Sequence, residues 1–233
     1  MSMNVAVVQS VPDNGDLDAN LQRTRELVEQ AVARGADLVL FPELSLTGYD
    51  LAIATDERMW FRPGDARLAP IRRAAGSSVV AVGAFVHDGP RRLIAQLLLR
   101  ADAPDLLAPK THLHGAESDV AEPGDGPLIT RIAGHDVAFA ICYDTAFPAH
   151  AEAAATAGAE IYVTSVLFTE GEDLPGRMAS RAVDHGLFTV AANLGGHQLG
   201  QRSAGDSGIW APDGSCVART TGADEEILFA PVG

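Results

Sequence analysis

The chain states one phrase twice: Ala33-Arg-Gly-Ala-Asp-Leu-Val-Leu40 is echoed by Thr156-Ala-Gly-Ala-Glu-Ile-Tyr-Val163. Each copy joins the end of a helical pattern, a glycine, an alanine and an acid to a continuous apolar run. Upstream of the first copy, Asn4 to Gln9 reads as a strand. Leu17, Leu21, Val28, Ala31 and Val32 then recur at helical spacing, with Asp16 or Asp18 to cap the start and Gly35 to stop the end. Upstream of the second copy, Asp136 to Cys142 is an apolar strand and Phe147 to Ala157 an alanine-rich helix; Gly158 to Thr164 then supplies the next strand. Strands that are apolar throughout are covered on both faces, so the echo predicts two similar βαβ units whose strands lie between layers.

The remaining segments fill in those layers. A helix near Ala66 to Ala75 precedes apolar strands at Val79 to Val86 and Leu93 to Arg100, and a third extended stretch covers Leu106 to Leu113. A hairpin of Leu128 to Ile132 and Val137 to Ile141 turns at Gly134-His135. A helix from about Gly176 to His185 leads to a strand at Leu187 to Asn193. Ser207 to Ala211 and Cys216 to Arg219 flank the turn Pro212-Asp-Gly214, and Glu226 to Pro231 is the last strand. No linker or low-complexity tract divides these elements. The expectation is one α/β domain over residues 1–233, a four-layer αββα sandwich with two mixed β-sheets and outer helices.

Composition excludes several classes of function. A formal net charge of -14 repels phosphate backbones and anionic lipid surfaces, and no basic cluster exceeds pairs such as Arg72-Arg73 and Arg91-Arg92. Nucleic acid is therefore not an expected partner. Neither a basic segment followed by a long apolar one near the N-terminus nor a run long enough to span a bilayer is present, so a soluble, cytoplasmic protein without a membrane partner is expected. Two cysteines, Cys142 and Cys216, are too sparse for a disulfide scaffold and are read as free thiols.

Lysine occurs once, at Lys110, against sixteen arginines. A lone survivor points to a position where a guanidinium cannot replace a compact ammonium that aims three donors at one oxygen. Cys142 ends an apolar strand at a strand-to-helix turn, a place that presents a nucleophile beside free backbone N–H groups. Taken alone it is equally a small buried hydrophobe. Glu43 follows Phe41-Pro42 at the exit of another buried strand, where partial desolvation raises a carboxyl pKa; taken alone it is equally a loop acid. His112 and His114 alternate on an extended stretch, which puts both on one face without requiring a metal, and none is expected. Arg177 and Arg181 stand four apart on a predicted helix and read as surface. Gly195-Gly196 lacks the spacing of a phosphate-binding loop and reads as a turn, so no cofactor is expected.

Three phrases occur in order: Phe-Pro-Glu-x-x-x-Thr-Gly-Tyr ending at Tyr49, Lys-x-His-Leu from Lys110, and Ile-Cys-Tyr-Asp-x-x-Phe-Pro ending at Pro148. The ordered set resembles the nitrilase superfamily of carbon–nitrogen hydrolases over nearly the whole chain, and Tyr143 after the cysteine is more like its amidase-type branch. The resemblance implies a catalytic Glu43, Lys110 and Cys142, with Glu117 in Glu117 to Gly124 as the second glutamate that positions the lysine. It also implies oxyanion or substrate contacts from Tyr143, Tyr49 and Phe168. Ala146 stands where relatives often carry Arg, Ala121 where they carry an aromatic residue, and Thr164 to Phe168 lacks their usual Pro and Trp. The departures touch the pocket rather than the trio. The expected activity is hydrolysis of a small linear amide through a cysteine thioester. A nitrile, a carbamoyl compound or an acyl acceptor is the alternative within that chemistry, and a silent binding scaffold or a metal hydrolase using the two histidines the alternative outside it. The partner expected beyond the amide is a second copy, in a homodimer or higher homo-oligomer packed through the helices at Phe147 to Ala157 and Arg177 to His185. The chain stops soon after its last strand, so no long tail is expected to exchange between subunits.

Overall fold

A computed structural model describes residues 2–233. Strand β1 (Met3–Gln9) leads through helix α1 (Leu17–Ala33) to the parallel strand β2 (Leu38–Leu40). After two short 3₁₀ turns come β3 (Trp60–Phe61), helix α2 (Ala69–Ala75), and the strands β4 (Val79–Asp88), β5 (Arg91–Leu99) and β6 (Leu106–Pro109). With β15 (Glu226–Val232) these form a mixed sheet in the order β15-β1-β2-β4-β5-β6, β3 pairing separately with β4. The second half contributes β7 (Leu128–Ile132), β8 (His135–Ile141), helix α3 (Pro148–Thr156), β9 (Ile161–Val166), helix α4 (Leu174–His185), β10 (Phe188–Asn193), β13 (Gly208–Trp210) and β14 (Cys216–Arg219). Its sheet runs β14-β13-β10-β9-β8-β7, and a small hairpin of β11 (His197–Gln198) and β12 (Gln201–Arg202) stands apart.

Alternation along the strands makes the four layers. In β1, Val5 and Val7 point between the sheets while Ala6 and Val8 meet α1. In β8, Val137 and Phe139 point between the sheets while Ala138 and Ala140 lie under the outer helices with Ala151, Ala154 and Met178. Small residues on both sides let α3 approach its sheet closely. The expected αββα sandwich with two mixed sheets is the fold observed. No helix among the described residues is long and apolar enough to cross a membrane.

The echoed phrase is an echo in structure too. Gly35 and Gly158 both have positive φ, 80° and 91°. Their N–H groups donate to Val32 and Ala155, and those of Ala36 and Ala159 donate back to Ala31 and Ala154. The N–H groups of Asp37 and Glu160 then reach Asn4 and Asp136, each the second residue of its unit's first strand. A glycine is needed at each helix exit because an L side chain is strained there.

Boundaries shift for local reasons. Helix α4 starts at Leu174, ahead of the expected Gly176, because Asp173 caps it by accepting from the Gly176 N–H at 2.8 Å and Pro175 suits the first turn. The stretch expected to stay extended to Leu113 leaves the sheet after Lys110, whose N–H still donates to Ile94 O. The strand pair β11 and β12 and the short β3 carry no strong pattern and were not expected.

Candidate active site

The candidate residues come from the carboxyl ends of strands in both sheets. Glu43 follows β2, Lys110 follows β6, Cys142 follows β8, and Phe168 lies just beyond β9. Lys110 Nζ donates to Glu43 Oε1 at 2.7 Å and to Glu117 Oε1 at 2.6 Å, and all three side chains are fully buried. An ammonium has three donors, so one is left to point elsewhere.

The two carboxylates are held differently. Glu117 accepts from Lys110 Nζ and from the Tyr49 hydroxyl on Oε1, the latter at 2.5 Å, and from the His114 N–H on Oε2 at 2.7 Å. It is anchored at every side. Glu43 has one oxygen on Lys110, while Oε2 is buried without a hydrogen bond among the described residues. Burial, opposed by the Lys110 charge, pushes the Glu43 carboxyl up to about 7. The sequence led us to expect partial desolvation there; the structure gives complete burial. Desolvation pulls the Lys110 ammonium down, but the negative charge of the neighbouring carboxylates, Glu43 before Glu117, offsets it and leaves its pKa raised. Lys110 is thus a fixed cation and Glu43 a group that exchanges a proton near neutrality.

Cys142 occupies a left-handed backbone conformation, φ 43°, which an L residue adopts at a cost of about 1–3 kcal/mol. Its Sγ lies 3.7 Å from Leu167 O. Burial and the charge of Glu43 push the thiol pKa up, with Lys110 acting in the opposite sense. The resting group is a thiol, and a base is needed to make it a nucleophile. A 3₁₀ turn over Cys142–Ala146 begins at the sulfur, so the Tyr143 N–H belongs to a helix start that lacks intrahelical acceptors.

Asp144 holds the turn in place. Fully buried, it accepts from the N–H of Ile141 at 2.9 Å, of His112 at 2.7 Å and of Thr111 at 3.3 Å, and from His112 Nδ1 at 2.9 Å. One carboxylate thereby ties the turn carrying Cys142 to the turn leaving Lys110. On the other side, Arg181 Nη2 donates to Thr145 O at 3.0 Å. Both roles were missed in the sequence, where Asp144 is one letter of a motif and Arg181 reads as surface. His112 and His114 have separate duties: His112 stacks on Phe147 and binds Asp144, while the His114 ring lies against Tyr143.

Cys142 faces a cavity of about 250 Å³ lined in part by Tyr49, His114, Tyr143 and Phe168. All three pocket residues expected from sequence reach it, and so does Arg177, which the spacing argument assigned to the surface. A larger, more open depression of about 650 Å³ beside the start of α1, lined by Asn14, Arg58 and Arg67 among others, holds none of the candidate residues.

A family model described as carbon-nitrogen hydrolase matches residues 4–232. A Pseudomonas protegens protein named hydrolase in pqqF 5'region is 31% identical over 243 residues, covering 98% of this chain and 82% of its own. A nitrilase of Pyrococcus abyssi is 27% identical over 99% of this chain and 89% of its own. Among solved structures, a mutant of the amidase from Nesterenkonia sp. AN1, with acrylamide added to its active-site cysteine, superimposes with a TM-score of 0.88 at 26% identity, over 99% of this chain and 93% of its own.

Proposed function

Since the chain belongs to the carbon-nitrogen hydrolase family, we propose that it cleaves the C–N bond of a small linear amide through a thioester on Cys142. The observation that carries the proposal is the Lys110 ammonium held between Glu43 and Glu117 beside a strained cysteine that opens onto a cavity. The similarity to the amidase from Nesterenkonia sp. AN1, of which a mutant is also known in complex with butyramide, supports the amide reading.

In the proposed cycle Glu43 accepts the Sγ proton as sulfur attacks the amide carbon. The carbonyl oxygen becomes an oxyanion, held by the third Lys110 donor and the Tyr143 N–H. Glu43 passes its proton to the departing nitrogen, the C–N bond breaks, and ammonia or an amine leaves. Water then gives a proton to Glu43 and its oxygen attacks the thioester. The C–S bond breaks, the carboxylate product departs, and Cys142 regains its proton. Glu117, anchored by Tyr49 and the His114 N–H, positions Lys110. The amide-to-acid reaction needs no cofactor or metal in this scheme.

Ammonia release from a panel of short amides, set beside the matching nitriles and N-carbamoyl compounds, tests the substrate class. Turnover of the amides at rates well above the others is expected. Turnover confined to nitriles or carbamoyl compounds would overturn the amide assignment. We also propose that the protein self-associates through α3 and α4, where Val183 is 57% exposed on α4.

A further inference from the structure

We propose that Arg177 is a specificity residue that selects amides bearing a carboxylate at the end remote from the scissile bond, the monoamides of short dicarboxylic acids. The inference rests on the amide reading above and names the substrate class of that same site.

Most arginines of this acidic chain pair with a carboxylate, as Arg72 does with Asp105 and Arg202 with Glu170. Arg177 lines the same cavity as Cys142 and has no carboxylate within ion-pair distance among the described residues. Its guanidinium carbon instead lies 4.9 Å from the centroid of the Phe168 ring. That platform is rigid: Asn193 accepts from the Phe168 N–H at 2.8 Å and donates to its carbonyl at 3.0 Å. A stacked guanidinium keeps its edge donors free and pre-oriented for a bidentate acceptor.

Placement puts both ends of the ligand in one cavity. Cys142 Sγ contacts Leu167 O, Phe168 is the next residue, and Arg177 stacks on Phe168. The carbonyl under attack and the guanidinium therefore share one cavity of about 250 Å³, which favours a short ligand. The one acid beside it in the cavity, Glu172, has Oε2 engaged by the Thr169 N–H at 2.7 Å and hydroxyl at 3.0 Å. Its charge tolerates one carboxylate at Arg177 and disfavours a dianion such as phosphate. With a net charge of -14 the molecule as a whole repels anions, so a cation without an ion-pair partner in this cavity supplies a local positive charge where the substrate tail would lie.

The test compares the monoamide of butanedioic acid with 4-methylpentanamide, which replaces the carboxylate by an uncharged group of similar shape. In the wild-type protein the acid amide should have the higher kcat/KM by roughly ten- to a hundred-fold, as expected for hydrogen bonds to a charged group. In Arg177→Met that ratio should collapse towards one, with Arg177→Lys between. A wild-type ratio near one, or a ratio unchanged in Arg177→Met, would overturn the assignment. Calorimetric binding to Cys142→Ala and to the Cys142→Ala, Arg177→Met double variant separates the two readings. If neither amide is hydrolysed but the acid amide binds more tightly and loses that advantage without Arg177, the hydrolase reading falls and the Arg177 site stands. Equal binding of both amides removes the Arg177 site whatever the turnover.

Discussion

At the scale of single residues the candidate site holds its two carboxylates unequally. Among the described residues Glu117 accepts three hydrogen bonds, whereas Glu43 accepts one from Lys110 and its other buried oxygen accepts none. Because burial raises Glu43 to about 7 and the proposed base must be ionised, kcat/KM should rise with pH through about 7. Glu43→Gln should abolish that limb together with most turnover; a limb unchanged in Glu43→Gln would assign it elsewhere. The same shift has a stability consequence of fixed sign. The native state holds the Glu43 proton above the ordinary value of 4.5, so this group's contribution is full below that pH and is lost as pH rises through about 7. Urea unfolding between pH 4 and 8 should show the wild type losing stability relative to Glu43→Gln. Lys110→Arg keeps a charge but not a compact ammonium, and kcat should fall about a hundred- to a thousand-fold, the usual cost of a lost oxyanion donor. Circular dichroism of that variant should remain native.

At the scale of elements, the site depends on two devices that hold loops rather than touch substrate. Asp144 satisfies three backbone N–H groups from the turns around Cys142 and Lys110. Asp144→Ala leaves the buried Ile141 N–H and two partly buried ones unpaired, and a loss of about 1–3 kcal/mol in chemical denaturation is expected from the buried group, with less from each of the other two. Gly83 in β4 lets the Glu43 loop pass against the sheet, since a Cβ there would lie 2.4 Å from Leu44 N and 2.4 Å from Pro42 O. Gly83→Ala should therefore displace Glu43 from Lys110 and lower kcat more than it raises KM. Neither device was legible beforehand. Gly83 sits inside an apolar run whose hydrophobicity predicts the strand and says nothing about what crosses it. Asp144 needs a partner 32 residues away in the chain to acquire its role. The strands and outer helices were legible because apolar period, glycine stops and caps are local, as the paired exits at Gly35 and Gly158 show. Arg177 was misplaced for the same reason: helical spacing locates it on α4 but cannot reveal that Phe168 waits opposite.

At the scale of the whole molecule, two half-structures with matching βαβ units place their strand ends together, and the candidate groups come from both sheets. Glu43 and Lys110 hang from one sheet, Cys142 and Phe168 from the other. Self-association through α3 and α4 would brace the second set, because Arg181 of α4 supports the turn at Thr145. Sedimentation should give a dimer or larger species, and Val183→Asp should shift it towards monomer; a monomeric wild type would contradict the proposed interface. The account as a whole is tested most directly by intact-protein mass spectrometry of acid-quenched protein during turnover of a short amide. It predicts an added acyl mass on the peptide containing Cys142, and neither adduct nor ammonia in Cys142→Ala. Continued ammonia release by Cys142→Ala would contradict it.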